Sequence, residues 1–263
     1  MVFIILIILV FNIPFLNVII TSLKSKVDLI SYPPKIIFKP TFEHFENIFT
    51  SGTFRFGKFL YNSFVIALVT SLFSIILTLP AAYYILFFRK GKRFLLPMVT
   101  NLRSIPLIIF AMPIYLSFKQ LSLIDTRLGL IIVHLLVDIP ISLVLLVNFL
   151  QSVPKEIIEA ARIDGATESK ILIKIIPPMV SSSIVATFIL CFIYSWNEFL
   201  FALILSIKNT TTLTVGATLF ITAWGVQWGE ISAAIVISTI IPFVLTFYIQ
   251  KHLIEAYSGG LKE

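Results

Sequence analysis

The chain has 263 residues, of which 58% are hydrophobic and 13% are charged, and its mean hydropathy is +1.03. A soluble domain is about half apolar and a quarter charged, so this composition excludes an ordinary soluble protein and indicates a membrane protein. The net charge of +7 does not predict nucleic-acid binding, because the basic residues are scattered among apolar runs instead of forming one dense basic face.

Six apolar segments are long enough to cross a bilayer core of about 30 Å, which takes about 20 residues in a helix. They are Met1–Leu23, Phe59–Phe88, Phe94–Phe118, Leu128–Gln151, Met179–Ser206 and Ile231–Gln250. The first lacks the positive start and the small-residue cleavage site of a signal peptide, so we expect a retained helix. We therefore predict an all-α integral membrane protein with six transmembrane helices, forming one domain over residues 1–263.

The polar connection Lys24–Lys58 is the longest one between the predicted spans. Within it Phe42, Phe45, Ile48 and Phe49 recur at helical spacing, which predicts a short helix lying along the membrane face. The same connection contains Gly52-Thr53-Phe54-Arg55-Phe56-Gly57-Lys58, a near match to a phosphate-binding loop. We interpret this match as coincidence, because Phe59 replaces the Ser or Thr that holds magnesium and no buried strand precedes the loop.

Positive charges predict the orientation of the spans. Arg89–Arg93 contains four Lys or Arg residues, and residues 152–178 contain four more. Because short loops rich in Lys and Arg stay in the cytoplasm, both loops are predicted to be cytoplasmic, and an even number of spans then places both termini there. The connection Lys24–Lys58 conflicts with this orientation, since it carries six basic residues on the outer side. Its length and its acidic residues weaken the conflict.

The charged stretch 152–178 interrupts the apolar sequence and has the signals of two short helices. Pro154 suits a helix start, where a missing N–H costs little. Gly165 predicts the end of the first helix, and Thr167 can cap the second. The pair Pro177-Pro178 is then expected to end the second helix. Two helices meeting at an Asp-Gly-Ala corner on a membrane surface indicate a docking element for a partner protein.

A spaced set of residues in this stretch resembles the EAA signature of permease subunits of ABC importers. The set comprises Glu159, Ala160, Ala161, Asp164, Gly165, Ala166, Ile175 and Pro178. Residue type and spacing match over about twenty positions, with Pro177 standing where the family has leucine. The resemblance extends over nearly the whole chain and is closest to the maltose-permease-like branch of carbohydrate importers.

This resemblance implies the fold, the function and the partners. The fold would be that of an ABC type I importer permease, with residues 152–178 as its cytoplasmic coupling loop. The chain would pair with a second permease subunit, with two ATPase subunits docking at the coupling loop and with an extracytoplasmic solute-binding protein, in a prokaryotic plasma (inner) membrane. It would import a sugar or oligosaccharide, without an ATPase site, cofactor or metal of its own, since the partner ATPase subunits use ATP and magnesium.

Ionisable groups inside the predicted spans are candidate linings of the substrate path, because such groups are costly in a bilayer. His134 and Asp138 lie four residues apart, at a spacing that allows a hydrogen bond within one helix. The alternative is a structural pair facing the partner permease. Trp196, Asn197 and Glu198 form a second polar group, which resembles a stretch of the sugar-importer branch. These side chains suit either sugar recognition or hydrogen bonding between helices.

The sequence does not indicate a metal site, a disulfide, an enzyme or a secondary transporter. The three histidines are far apart and Cys191 is the single cysteine, so we predict neither a zinc site nor an internal disulfide. An integral membrane enzyme would concentrate acids, His or Cys at one interface, and a secondary transporter would have inverted repeats and broken helices. Within the importer class, a permease for a non-sugar solute such as glycerol phosphate or a polyol remains the main alternative.

Overall fold

The computed structural model describes residues 2–50, 55–88, 91, 93–102, 104–222 and 225–258. Two features of the sequence therefore fall partly outside the described residues. These are the basic loop, through Arg89, Lys90 and Lys92, and the phosphate-loop-like segment, through residues 52–54.

Helices dominate the described chain because apolar runs satisfy their own backbone hydrogen bonds only in this form within a bilayer. They are α1 (Val2–Leu23), α2 (Lys26–Leu29), α3 (Glu43–Thr50), α4 (Phe56–Phe87), α5 (Leu95–Leu102), α6 (Ala111–Gln120, after a 3₁₀ turn at Leu107–Phe110), α7 (Arg127–Leu150), α8 (Lys155–Ile163), α9 (Glu168–Met179), α10 (Ser181–Trp196), α11 (Leu200–Leu205), α12 (Leu213–Thr218) and α13 (Trp228–Ser258). Two short strands, β1 (Ile221–Thr222) and β2 (Gly225–Val226), pair antiparallel with Ile221 opposite Val226.

Three helices in the described part of the chain are long and apolar enough to cross a membrane: α4, α7 and Trp228–Tyr248 of α13. Two bent pairs, Leu95–Leu102 with Leu107–Gln120 and α9 with α10, raise this number to five if each pair forms one crossing. A shorter apolar helix, Val10–Leu23, lies within α1. Each predicted apolar segment therefore contains a helix, although several bounds differ from the prediction.

The third and fifth spans were predicted as unbroken segments, and this prediction was wrong for both. The third is broken before Leu107, where Pro106 lacks a backbone N–H and disfavours a helical residue before it. The fifth, predicted as Met179–Ser206, is helical only to Trp196, and a separate helix begins at Leu200. Its N-terminal end meets α9 at an angle of 84°.

The prediction that Pro177 and Pro178 end the second helix of the charged stretch is confirmed to within one residue, because α9 ends at Met179 and the chain bends there. The helix α9 passes through a π-helical segment, Ile171–Ile175, and continues to Met179. Both prolines stand in the first turn of the α-helical segment that follows the π segment. Proline is tolerated in a first turn because the N–H groups there have no partner within the helix.

The described residues form two compact units. The first comprises the residues up to Asn62 together with Thr211–Phe243. In it the predicted helix α3 is confirmed, but His44 and Ile48 are its buried residues, whereas Phe42 and Phe49 are exposed.

A buried histidine ties α3 to the start of α13 within the first unit. The Nε2 atom of His44 lies 2.8 Å from the Lys24 carbonyl oxygen, and its Nδ1 atom lies 3.3 Å from Glu230 Oε1. The same Glu230 oxygen is 3.4 Å from Lys26 Nζ. A Cβ atom on Gly229 would come within 2.2 Å of the His44 ring, so this approach requires glycine.

The second unit comprises Ser63–Thr210 together with the residues from Val244 onward. A buried apolar cluster of this unit joins the ends of α4 and α7 to α8 and α9. The cluster contains Ala82, Tyr83, Ile85, Leu143, Leu146, Val147, Leu150, Val153, Ile158, Ile171, Ile176 and Val180. Because Ile158 belongs to α8, the first helix of the charged stretch is packed onto the ends of two long apolar helices.

The carboxylate of Asp125 holds two segments of the second unit together. Asp125 lies between α6 and α7, and its side chain accepts hydrogen bonds from the backbone N–H groups of Ile207, Lys208, Asn209 and Thr210, at 2.9–3.2 Å. Burial opposes the charged form of the carboxyl, but the bonds from Ile207, Asn209 and Thr210 outweigh it and lower the pKa of Asp125 to about 2. The segment after α11 is therefore fixed to the segment before α7.

Candidate functional site

The charged stretch 152–178 has the two-helix form that its sequence predicts. The helix α8 begins directly after Pro154 and ends at Ile163, with Asp164 as its C-terminal cap. Gly165 follows with a φ angle of +77°, which a residue with a side chain adopts only with strain. Thr167 Oγ1 accepts a hydrogen bond from the Lys170 N–H and caps α9. Proline, glycine and threonine therefore perform the local roles predicted for them.

The helix α8 has one buried and one exposed side. Ile158 is only 1% exposed, whereas the opposite side is open to solvent in this chain. The signature residues Glu159, Ala160, Asp164, Gly165 and Pro178 are exposed, and Ala161 and Ala166 are half-buried. Ile163 on the same helix is 86% exposed. An exposed helix face that combines a carboxylate, small residues and a large apolar side chain is suited to docking against another protein.

Three polar side chains connect the charged stretch to α4, and the sequence analysis did not identify them. Glu168 accepts hydrogen bonds from Arg162 Nε at 2.7 Å and Nη2 at 3.3 Å. Its Oε2 atom also accepts a hydrogen bond from the Tyr83 hydroxyl at 2.6 Å. Tyr83, Arg162 and Glu168 are called the Glu168 cluster below. The Arg162–Glu168 pair spans the Gly165 corner at a separation of six residues, which is not a regular helical spacing, so no simple pattern predicts it.

Inside the apolar part of the second unit, His134 pairs with another helix and not with Asp138. Its Nδ1 atom is 2.7 Å from the Ser195 hydroxyl oxygen, and its Nε2 atom is 3.2 Å from Glu198 Oε2. Glu198 also accepts hydrogen bonds from the N–H groups of Phe201 at 2.8 Å and Ala202 at 3.0 Å. Its carboxylate therefore satisfies the start of α11, where N–H groups have no partner within the helix.

The predicted hydrogen bond between His134 and Asp138 is not formed. Asp138 is fully buried, and neither of its carboxylate oxygens has a hydrogen-bond partner among the described residues. A buried polar group without a partner is costly, so this position is unusual within the packed helices. Among the other candidates, Trp196 is 3% exposed and its ring stacks on Phe192, with centroids 5.7 Å apart.

A cavity of about 370 Å³ lies beside this polar group. Its walls are formed by Leu102, Leu107, Leu136, Val137, Pro140, Ile141, Tyr194, Asn197 and Glu198. The polar atoms thus come from the end of α10 and from the segment after it, while the rest of the lining is apolar. Of the predicted path residues, Asn197 and Glu198 contribute to this lining, and His134 contacts Glu198 beside it. Such a mixture of apolar wall and few polar groups is typical of small-molecule sites.

Comparison with known proteins defines the class to which this fold belongs. A probable ABC transporter permease of Sinorhizobium fredii is 34% identical over 251 residues, covering 95% of this chain and 90% of that protein. The trehalose/maltose transport system permease of Thermococcus litoralis is 30% identical over 250 residues, covering 94% and 90%. The structure of a bacterial ABC transporter involved in the import of the polysaccharide alginate contains a chain with a TM-score of 0.77 and 21% identity, covering 95% and 93%.

These similarities define a permease subunit of an ABC importer with the type I fold. A family model matches residues 74–258, which include the charged stretch and the His134–Glu198 pair. The chain belongs to the family of binding-protein-dependent transport system inner membrane components. The expectations of a multi-pass membrane protein and of a transport subunit that is not itself an enzyme are confirmed by this membership.

Proposed function

We propose that the chain is one of two permease subunits of an ATP-driven importer that takes up a sugar or oligosaccharide. The coupling part of this proposal rests on the two sides of α8. One side is exposed, and on the other side Ile158 packs against the ends of α4 and α7. Binding of an ATPase subunit to the exposed side can displace α8 and thereby the long helices. The sugar part is supported by the relative from a trehalose/maltose transport system and by the fold shared with a chain of an alginate importer.

The partners and the orientation follow from the same proposal. Residues 152–178 form the coupling loop and lie in the cytoplasm, together with both termini and the basic loop Arg89–Arg93. An ATPase dimer, which binds ATP and magnesium, docks at Glu159, Ala160 and Ala161. Small side chains let a helix enter a narrow groove, and a carboxylate there attracts a basic group of the partner. A second permease completes the channel, an extracytoplasmic binding protein delivers the solute, and the single permease domain covers residues 1–263.

The cavity beside Glu198 is proposed as part of the substrate path. Asn197 and Tyr194 offer an amide and a ring, which suit the hydroxyl groups and the apolar face of a sugar. Glu198 contributes a carboxylate edge that His134 holds in place at 3.2 Å. Trp196 and Asp138 are buried, and we assign them to packing between helices and not to contact with solute.

The assignment of Asp138 predicts the effect of an isosteric change. Because the Asp138 carboxyl is fully buried and outside the cavity wall, Asp138→Asn is expected to leave the apparent affinity and rate of uptake within about twofold of wild type. Uptake of the labelled solute into proteoliposomes measures both quantities. A large loss of affinity with an unchanged unfolding temperature would instead make Asp138 a substrate-path residue.

The function is tested first through the binding protein. The open reading frames beside this gene are expected to encode a binding protein and a second permease. Thermal shifts of that binding protein with monosaccharides, oligosaccharides, polyols and glycerol phosphate identify the solute, and a sugar is the expected result. ATP-dependent uptake of that solute by the reconstituted complex then tests the transport. A polyol or glycerol phosphate would move the chain to the non-sugar alternative, and uptake driven by an ion gradient without an ATPase would overturn the proposal.

A further inference from the structure

The carboxylate of Glu168 is shared by three structural elements. It is the first residue of α9, directly after the cap residue Thr167. It accepts two hydrogen bonds from Arg162, in the last turn of α8, and one from Tyr83, near the C-terminal end of α4. A negative charge at a helix start and a positive charge at a helix end both interact favourably with the helix dipoles. The Glu168 cluster therefore joins α8, α9 and α4 through one side chain.

Tyr83 connects this polar cluster to the apolar interior. Its side chain is 3% exposed and belongs to the same buried cluster as Ile158. Its ring lies 5.0 Å from the Phe87 ring, while its hydroxyl reaches Glu168. The Arg162 guanidinium adds a contact of its own, 5.3 Å from the centre of the Phe88 ring. The cluster is thus fixed to α4 by the aromatic packing of Tyr83 and to α8 by the two hydrogen bonds from Arg162.

Two kinds of interaction hold α8 in place: the apolar packing of Ile158 and the hydrogen bonds of Glu168. The packing of Ile158 is apolar and non-directional, so it resists separation of the helices but resists sliding and rotation less. The bonds of Glu168 are short, charge-assisted and directional. They fix the angle between α8 and α9 across the Gly165 corner, and they fix this corner to α4. Any displacement of α8 relative to α4 therefore strains the bonds of the Glu168 cluster.

We propose that Glu168 and Tyr83 are positioning residues that transmit the displacement of α8 to α4 during ATP-driven transport. The inference rests on the proposed function, since it assigns the route by which ATPase docking reaches the long helices. It assigns no contact with solute, with ATP or with the ATPase to either residue.

The test uses the complete reconstituted complex of both permeases, the ATPase and the binding protein. In it Glu168→Gln removes the charge but keeps the shape, and Tyr83→Phe removes one hydroxyl and keeps the ring. Both variants are expected to assemble and to hydrolyse ATP, while the amount of solute transported per ATP falls by about tenfold, within the range usual for coupling between sites. The double variant is expected to lose no more than the larger single loss, because the hydroxyl bond that Tyr83→Phe removes ends on the carboxylate that Glu168→Gln already replaces.

Neighbouring residues provide matched controls. Tyr84 is the next residue of α4, is 45% exposed and stacks on Phe88, so Tyr84→Phe removes a hydroxyl outside the cluster. Ser169 follows Glu168 and is exposed, so Ser169→Ala changes the same turn of α9. Both controls are expected to keep the wild-type ratio of solute transported to ATP hydrolysed.

Four results would contradict the inference or the proposed function. A wild-type ratio in Tyr83→Phe and Glu168→Gln overturns the inference, as does an equal loss in Tyr84→Phe. A lower unfolding temperature with an unchanged ratio assigns the cluster to stability alone and also overturns it. If the wild-type complex shows no ATP-driven uptake, the proposed function fails, and this outcome is distinct because it does not depend on any variant.

Discussion

Glu159→Arg is expected to abolish solute uptake while leaving insertion of the permease into the membrane intact. Glu159 is exposed on α8, on the face proposed to dock into the ATPase subunit. Reversal of its charge places a cation against the basic group expected in the partner groove. The two like charges repel each other, and the repulsion is stronger because docking removes water from between them. Co-purification of the ATPase with the tagged permease is expected to fall together with uptake. Retained co-purification with normal uptake would exclude Glu159 from the interface.

Gly165→Ala tests the same loop through the backbone. A Cβ atom at this position would meet no other atom within 4 Å, so the change adds no clash. The cost comes from the φ angle of +77°, which disfavours a side chain by roughly 1–2 kcal/mol and turns α8 away from its docking orientation. We expect loss of uptake and of ATPase docking in Gly165→Ala. Gly165→Asn is the matched control, because asparagine tolerates this backbone region, and it is expected to retain more uptake than alanine.

The outcome for Gly165→Ala is measured in an assembled complex. Substrate-stimulated ATPase activity is the readout, since it requires both docking and signal transfer. A Gly165→Ala complex that assembles and shows normal stimulation would contradict the proposed role of the corner.

Glu198→Ala is expected to cause the largest loss of stability. The variant leaves the N–H groups of Phe201 and Ala202 without their acceptor and leaves His134 without its carboxylate. Both side chains of the pair are almost fully buried, with 1% of His134 and 7% of Glu198 exposed. Each of the two N–H groups left without its acceptor costs about 1–3 kcal/mol, which together corresponds to a fall in unfolding temperature of roughly 10 °C. Thermal unfolding of the purified permease in detergent, followed by tryptophan fluorescence, measures this fall.

Two further variants separate the contributions of Glu198. Glu198→Gln keeps an acceptor for the N–H groups but removes the charge beside His134, so an intermediate unfolding temperature is expected. Asn197→Ala is the neighbouring control, since the Asn197 amide bonds the Ile193 carbonyl of its own helix, and a fall of only a few degrees is expected. An unfolding temperature of Glu198→Ala equal to that of wild type would show that the pair does not stabilise the fold.

Local rules predicted the parts of the structure that depend on nearby residues. Pro154, Gly165 and Thr167 each suit their positions through one local property. Pro154 lacks a backbone N–H, Gly165 tolerates a positive φ angle, and Thr167 has a hydroxyl that accepts a hydrogen bond. The long apolar runs predicted helices because a single segment pairs all of its own backbone groups in lipid only as a helix. The two helices of the charged stretch 152–178 and the corner between them could therefore be predicted from the sequence.

Distant contacts account for two of the errors, those on the His134–Asp138 pair and on the end of the fifth span. His134 and Asp138 have the spacing of a pair within one helix, yet Ser195 and Glu198 approach His134 from another helix more than 60 residues away. The fifth span ends early for the same reason, since Glu198 leaves the helical path and accepts the N–H groups of the next helix. No periodicity in the sequence contains this information, because it depends on which helices pack together.

The carboxylate of Asp125 gives the connection around Asn209 an unusual tolerance of acid. Its lowered pKa of about 2 means that its stabilising bonds are present above the ordinary value for Asp and are lost only as the pH falls toward 2. Most surface carboxylates are already half-protonated near pH 4. In the proposed orientation this connection lies on the outer side of the membrane, where the cell does not control the pH. An importer built this way keeps the connection folded in an acidic medium in which an ordinary carboxylate is already protonated.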